Sequence, residues 1–344
     1  MRPSIFYLLM VILLAGCGLS DKEKVTVSEL TQDMQTFCVG RHLIDVPKGF
    51  SSIIGGAANF MLAGVSIEVA DPFWVSIKAV DISAQQFRSA VDKQRAEVAA
   101  NRNMLSKDSM LKEFKSVGEN AFLLRAYESS LSRDSFRSEL HLLIEGVHVV
   151  VAEKSFENEF LQAEKRIEAF SKNLVRVQPS STAKGFCIGP IAVQGDSYSL
   201  EQTDFTFRSK KRPDVIIEID IDTYSNSSQE SDTLLQRVSG ERSLLSIFDV
   251  RHKVLRKGNL TIAGMKAQEW LATFENGDHK DHQFAFESYR PKPSSPAHPA
   301  IHMEMTTGQQ DLDGVRHTSS LSDKEAMAVW DTMVKSIRLR PGAV

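Results

Sequence analysis

The sequence predicts an α+β fold of two similar, duplicated domains, each an antiparallel sheet with two helices packed on it. Three observations predict this. The tetrapeptide Phe37-Cys38-Val39-Gly40 returns as Phe186-Cys187-Ile188-Gly189, 149 residues later. The stretches that follow each copy run through the same order of patterns: period-two strands, a helix, further strands and a second helix. Both runs end in a short basic strand, Leu174-Val175-Arg176-Val177 and Ile337-Arg338-Leu339-Arg340, with a proline just after. Helices set on antiparallel strands, rather than alternating with parallel ones, form the α+β pattern. The 344 residues suffice for about two domains of ordinary size.

Taken in order, Arg41 to Pro47 reads as a short strand stopped by proline, matched later by Ile191-Ala192-Val193. Val65 to Val69 alternates in period two, as Ile217 to Ile221 does, and Trp74 to Val80 is its expected strand partner. A helix follows in each half. Phe87, Ala90, Val91 and Val98 share one face of the first, with Ser83 as N-cap; Leu234, Leu235, Val238, Leu245 and Phe248 share one face of the second, after Asp232. Gly118-Glu119-Asn120-Ala121 aligns with Gly264-Met265-Lys266-Ala267, and Phe136 and Glu139 recur as Phe284 and Glu287. Strands at 147–151 and 301–305 close the two sheets. The last helices carry Phe156, Phe160, Ala163, Ile167, Phe170 and Leu174 in one half, and Ala326, Trp330, Met333 and Ile337 in the other. The domains are thus expected at 36–179 and 184–344, joined by the serine-rich stretch from Gln178 to Lys184. The second half carries an insertion, Arg290 to Pro299, where the first has only Glu145-Gly146.

The N-terminus reads as a targeting segment. Arg2 precedes the apolar run Ile5 to Leu14, about ten residues, too short for the roughly 20 that cross a bilayer as a helix. It ends in Leu14-Ala15-Gly16-Cys17, which resembles the bacterial lipoprotein signal, with an ordinary secretory signal as the alternative. Residues 1–16 would be removed and Cys17 acylated, and 17–35 is expected to be a lipidated, polar tether. Gly18 stands where an aspartate would hold the protein at the inner membrane, so outer-membrane anchoring is favoured. In an oxidising compartment Cys38 and Cys187 either form one disulfide or are two small buried residues at equivalent places.

Chemistry is sparse. The net charge of -3 makes no case for nucleic acid, and no basic run is interleaved with aromatics. There is no Gly-x-Ser-x-Gly, no phosphate-cradling glycine loop and no His-Glu-x-x-His, so no catalytic residue, metal or cofactor is assigned. Asp278-His279-Lys280-Asp281-His282 has ligand types that suit a transition metal, but after Asn276-Gly277 it reads rather as a solvated hairpin tip. Glu139 and Glu287 are either a carboxylate pair or, on separate domains, share a structural role. His298, His302 and His317 are scattered, and Trp74, Trp270 and Trp330 read as core. Two exposed stretches are candidate partner contacts: the proline-rich insertion with Arg290, Lys292 and His298, and Gly55 to Gly64, which as a loop would offer Phe60, Met61 and Leu62. A tolerated insertion and a packed connection are the plainer readings of the two.

Cys38-Val39-Gly40-Arg41-His42-Leu43-Ile44-Asp45-Val46-Pro47 resembles the opening of the N-terminal domain of immunity proteins against class-four lipase effectors of type VI secretion. The segment from Phe186 to the Trp330 helix is similar to that family's C-terminal domain. The resemblance implies a non-enzymatic, periplasmic binder. Its partner would be a phospholipase effector, held inactive by clamping its lid or blocking its active-site mouth. It transfers no catalytic residue. A structural or assembly lipoprotein of the envelope stays open as a second reading. A metal-dependent hydrolase using His279 and His282 is a third.

Overall fold

The computed structural model describes residues 18–52, 57–61, 73–195, 198, 200–223, 233–239, 252–289, 295–308, 315 and 317–344. The repeated tetrapeptide lies at its centre. Strands β1 (Met34–Gly40) and β2 (His42–Pro47) form one hairpin, and β11 (Phe186–Ile188) and β12 (Ile191–Val193) form its copy. The hairpins meet along β1 and β11, where Val39 lies opposite Ile188 and Gly40 opposite Cys187, while Gly189 N donates to Cys38 O at 3.1 Å. Val39 and Ile188 are counterparts in the repeat, so a pseudo-twofold axis passes between them. Each hairpin is flanked by the last strand of a half: β10 (Leu174–Arg176) lies on β12, and β19 (Arg338–Leu339) on β2. The six-stranded order β10-β12-β11-β1-β2-β19 therefore weaves both halves together.

The larger sheet obeys the same symmetry. The first half contributes β4 (Ala57–Met61), β5 (Phe73–Ala79), β6 (Leu111–Gly118), β7 (Ala121–Tyr127), β8 (Ser135–Ile144) and β9 (Val147–Phe156). The second contributes β13 (Leu200–Ser209), β14 (Ile216–Asp222), β15 (His252–Ile262), β16 (Met265–Asn276), β17 (His279–Ser288) and β18 (Ala300–Thr307). The order β15-β16-β17-β18-β14-β13-β4-β5-β9-β8-β7-β6 reads the same inward from either end, and β3 (Phe50–Ser52) also pairs with β13. The α+β class and antiparallel pairing are as expected. The two sheets, however, are not separate, because they join edge to edge along β4 and β13, covering edges that would otherwise be open. The strand expected to pair with Trp74 to Val80, 65–69, lies outside the described residues; among these β5 pairs with β4 and β9, and the counterpart of β14 is β5 itself.

Period-two alternation decides the faces. Phe205, Phe207, Ile217, Ile219, Met303, Met305, Phe284 and Phe286 all turn inward and are buried. Over them lie the six-stranded sheet, where Phe37 meets Phe207 at 4.8 Å between ring centroids, and helix α5 (Asp323–Ser336), whose Trp330 sits 5.9 and 6.0 Å from Phe284 and Phe286. Helix α3 (Phe160–Ser171) covers the same face of the first half, with Phe170 stacked 4.9 Å from Phe73. Phe156 and Leu174, expected within α3, instead end β9 and begin β10; Phe156 is exposed. Helices α2 (Ala84–Ala100) and α4 (Leu234–Ser239) lie on the opposite face. On β7, Phe122 faces α2 at 5.9 Å from Phe87, while Arg125 faces α3. Ser83 caps α2 in a capping box, but only Phe87 and Val91 are buried and Ala90 is exposed. Leu245 and Phe248 lie outside the described residues.

The stretch expected as a tether is largely folded. Ser20 and Glu23 form a capping box that starts α1 (Asp21–Thr31), which buries Thr26 and Leu30 and is tied to the start of α5 by Ser322 Oγ donating to Glu23 Oε1 at 2.8 Å. Among the described residues no helix is long and apolar enough to cross a membrane.

Candidate functional site at the joint of the lobes

The two hairpins bring Cys38 and Cys187 together in a disulfide with Cα atoms 5.6 Å apart. Equivalent residues of a repeat meet only at the symmetry axis, and the β1–β11 pairing puts them there. Beside the bridge, Arg41 from the first hairpin reaches across to Glu201 on β13. Its Nε and Nη2 donate to the two carboxylate oxygens at 2.9 and 2.6 Å, and both side chains are fully buried. This fork-on-fork geometry uses the planarity of both groups. The third arm, Nη1, donates to the carbonyl of Ala343, so the C-terminal tail closes over the pair.

Arg340, also buried, grips the connection between the halves. It donates to Ser181 O and Ala183 O at 2.9 and 2.7 Å, and to Gly185 O at 2.6 Å. Burial, and the positive charge of Arg41 nearby, lower its pKa. Gly342 has φ +74°, and a Cβ there would stand 2.3 Å from Thr182 O, so only glycine lets tail and connection approach this closely. The serine-rich linker is thus pinned by two of its carbonyls, and by that of Gly185 just beyond it.

His42, between Arg41 and β2's apolar run, is 1% exposed, and neither ring nitrogen has a hydrogen-bond partner. Burial, reinforced by the charge of His298, pushes its pKa down to about 4. In β9, burial and the charge of His141 likewise hold His148 at about 4. Both folded values lie below the ordinary 6.5, so the unfolded chain takes up these protons first as pH falls. Stability is present above pH 6.5 and is lost progressively down to pH 4, by up to about 3 kcal/mol for a group as buried as His42. The His42→Leu variant is expected to lose less stability than the parent between pH 7 and pH 4.5 in urea titrations. Equal losses would remove His42 as a cause.

The repeated glutamates are not a pair. Seven strand-to-strand steps separate β8 from β17, about 34 Å at the usual spacing. Each instead ties a helix to its own sheet. Glu139 accepts from Gln94 of α2 at 2.7 Å and from Arg137 at 2.8 Å; burial would raise its pKa, but His141 and Arg137 outweigh this and hold it at about 2. Glu287 accepts from Arg237 of α4 and lies 3.2 Å from His302 Nδ1. His302 also reaches Glu304 at 2.8 Å, and although burial opposes its charge, the two carboxylates raise it to about 9.

The stretch from Asp278 to His282 is not one solvated tip. Gly277 and Asp278 make the exposed turn, and β17 then sends residues alternately to opposite faces. His279 and His282 are three apart, so they point away from each other and cannot share an ion. Among the described residues no group of His, Cys, Asp and Glu is placed to hold a metal. His282 is fully buried, with Nε2 3.1 Å from Asp323 and Nδ1 2.7 and 3.0 Å from Thr307 and Ser319. The Asp–His–Ser order resembles a catalytic relay, but no substrate reaches an imidazole with no exposed surface; it fastens the start of α5 to the sheet.

The candidate contact residues do not converge. Phe60 and Met61 are not in a loop; their backbones pair with Glu201 and Leu200 in the seam between the halves, and Leu62 lies outside the described residues. Arg290 and Lys292 also lie outside them, and His298 is exposed beside a short bridge to Ser295. Of the tryptophans, Trp330 and Trp270 are core, whereas Trp74 is half-buried under Arg137, 5.6 Å from its ring. A cavity of about 390 Å3 that the sequence did not signal opens between α2 and β6–β8, floored by Leu124 and edged by Arg137 and Glu139. Met104, Leu105 and Leu131 are exposed in loops of the same half.

Fold and joint together define a class: a duplicated α+β protein of two lobes, stapled at a pseudo-twofold axis by a disulfide, a buried ion pair and an interlaced tail. Residues 180–342 match the family described as Tle cognate immunity protein 4, C-terminal domain. The chain is similar in structure to one in the crystal structure of the Tle4–Tli4 complex, with a TM-score of 0.65 at 23% identity, covering 91% of this chain and 99% of that one. It is likewise similar to the immunity protein TplEi of the type VI secretion system from Pseudomonas aeruginosa, with a TM-score of 0.63 for the apo form and 0.60 for the form complexed with a peptide. Both share 23% identity, over 90% of this chain and 98% and 99% of those. At that identity the likeness shows the fold, in both halves. No curated protein matches the sequence.

Proposed function

We propose that the protein is a periplasmic immunity protein that binds a phospholipase effector of type VI secretion and inhibits it by clamping its lid or blocking its active-site mouth. The match of residues 180–342 to an immunity-protein domain carries this reading, and the whole-chain likeness to Tli4-type structures supports it. It acts by binding, not by catalysis. Export follows from the segment 1–16, and acylation of Cys17 anchors the mature chain, with Gly18 favouring the outer membrane. A stapled joint suits such a role, because two lobes already fixed in relation to each other lose little freedom on gripping a partner.

The test is co-expression with a class-four lipase effector of type VI secretion. A stable complex is expected, with lipase activity abolished at one equivalent of the protein. Free lipase in the pull-down and undiminished hydrolysis at stoichiometry would overturn the reading.

A further inference from the structure

The connection between Cys17 and the folded body has no slack. Gly18, the next residue, accepts a hydrogen bond on its carbonyl from Lys324 Nζ at 2.9 Å. Helix α1 begins at once, capped by Ser20, with Glu23 held by Ser322. Leu30 is seated in the main core, and Asp33, just beyond the helix, pairs with Lys48 at 2.7 Å. Both ends of α1 are therefore fastened. A free chain from 17 to 35 would reach about 60 Å, whereas one peptide unit reaches about 4 Å.

We propose that the end of the second lobe around Gly18 faces the membrane and rests against phospholipid headgroups, so that the lobe stands on the bilayer in one orientation. This rests on the acylation of Cys17 put forward above. The end is one continuous surface. Arg212, in the β13–β14 turn, donates to Ser320 O at 2.8 Å, Ser320 N donates to Asp214, and Lys280 N, at the start of β17, donates to Thr318 Oγ1 at 3.0 Å. Ser320 and Thr318 lead directly into α5, which holds Gly18 and α1. Lys22, Lys210 and Lys211 are exposed here and have no ion pair among the described residues, whereas Asp21, Asp33 and Asp323 are each paired with a lysine. Glu29, Glu275 and Asp278, also exposed at this end, balance those three lysines, so the short covalent connection, not net charge, sets the orientation. The far end of the lobe, where His298 is exposed, is the length of β17 away, about 33 Å for its ten residues. An inhibitor held this way stands within one body length of the bilayer a phospholipase attacks.

The test uses the full-length acylated protein in vesicles of phosphatidylethanolamine and phosphatidylglycerol, with a fluorophore at Lys210→Cys or His298→Cys and a quencher on the headgroups. Quenching at position 210 is expected to exceed that at 298 several-fold. The double variant Glu23→Ala, Lys324→Ala, which frees the start of α1 without touching the core, is expected to narrow the difference. Equal quenching at both positions in protein whose mass shows the acyl chains would overturn the orientation alone. Absence of acyl mass on Cys17 would overturn the anchoring and the orientation together, while leaving lipase binding to its own assay.

Discussion

Replacing Cys38 and Cys187 together by alanine is expected to lower unfolding stability by about 3–5 kcal/mol. The bridge closes a loop spanning a sequence separation of 149, and the chain-entropy estimate for so long a loop is about 5 kcal/mol, at the top of the range measured for native disulfides. The loss acts mainly through the unfolded chain, whose halves no longer stay near each other. The native joint keeps the β1–β11 pairing and the Arg41–Glu201 pair, so the lobes remain together. At this size the unfolding entropy is about 0.7 kcal/mol/K, so each kcal/mol shifts the melting temperature by about 1.4 °C and a fall of roughly 4–7 °C is expected. A loss under about 1 kcal/mol in urea titrations of the oxidised parent against the variant would show that the staple adds little to an already closed joint. Reduction of the parent under native conditions should reproduce the variant.

Glu201→Ala is expected to cost about 3–5 kcal/mol, because it strands the Arg41 guanidinium where water does not reach. Only the Ala343 carbonyl would still receive it, and that carbonyl cannot balance a charge. The pair itself is worth much less than this figure. Two buried ions recover by mutual attraction little more than they lose in leaving water, so the double change Arg41→Met, Glu201→Leu is expected to recover most of the loss. A double-mutant cycle followed by urea titration measures this directly. Additive losses in the double variant would mean that the two side chains are not coupled. If the lobes must keep their relation to grip a partner, Glu201→Ala should also weaken capture of the lipase, and the apolar double variant should restore it.

Several elements were legible because their signals are local. Ser83, with a glutamine three residues on, announces the capping box that begins α2. Ala326, Trp330 and Met333 lie on one helical face and are buried together. The same local signal stands at Ser20-x-x-Glu23, within a stretch whose polar composition predicts a tether. Helix α1 buries only Thr26 and Leu30, too few to show as periodicity, and docking on α5 supplies what its own sequence does not. Phe60 and Met61 differ from expectation for the opposite reason. A small, glycine-flanked apolar stretch looks like a loop, and only the facing edge of β13 makes it a strand.

By itself the sequence determined the class of fold, the duplication, the order of elements within each half and the resemblance of the Cys38 to Pro47 segment to an immunity-protein family. All of these are carried by short-range patterns: alternation, helical spacing, caps and a repeated motif. Tertiary structure alone decided that the two sheets merge along β4 and β13, that each half's last strand completes the other half's hairpin, and that Arg41 finds Glu201 across a separation of 160 residues. The reason is physical. Strand edges and buried charges must be satisfied, but the sequence records only that they exist, and the choice of partner is made by whichever surface the closed chain brings alongside.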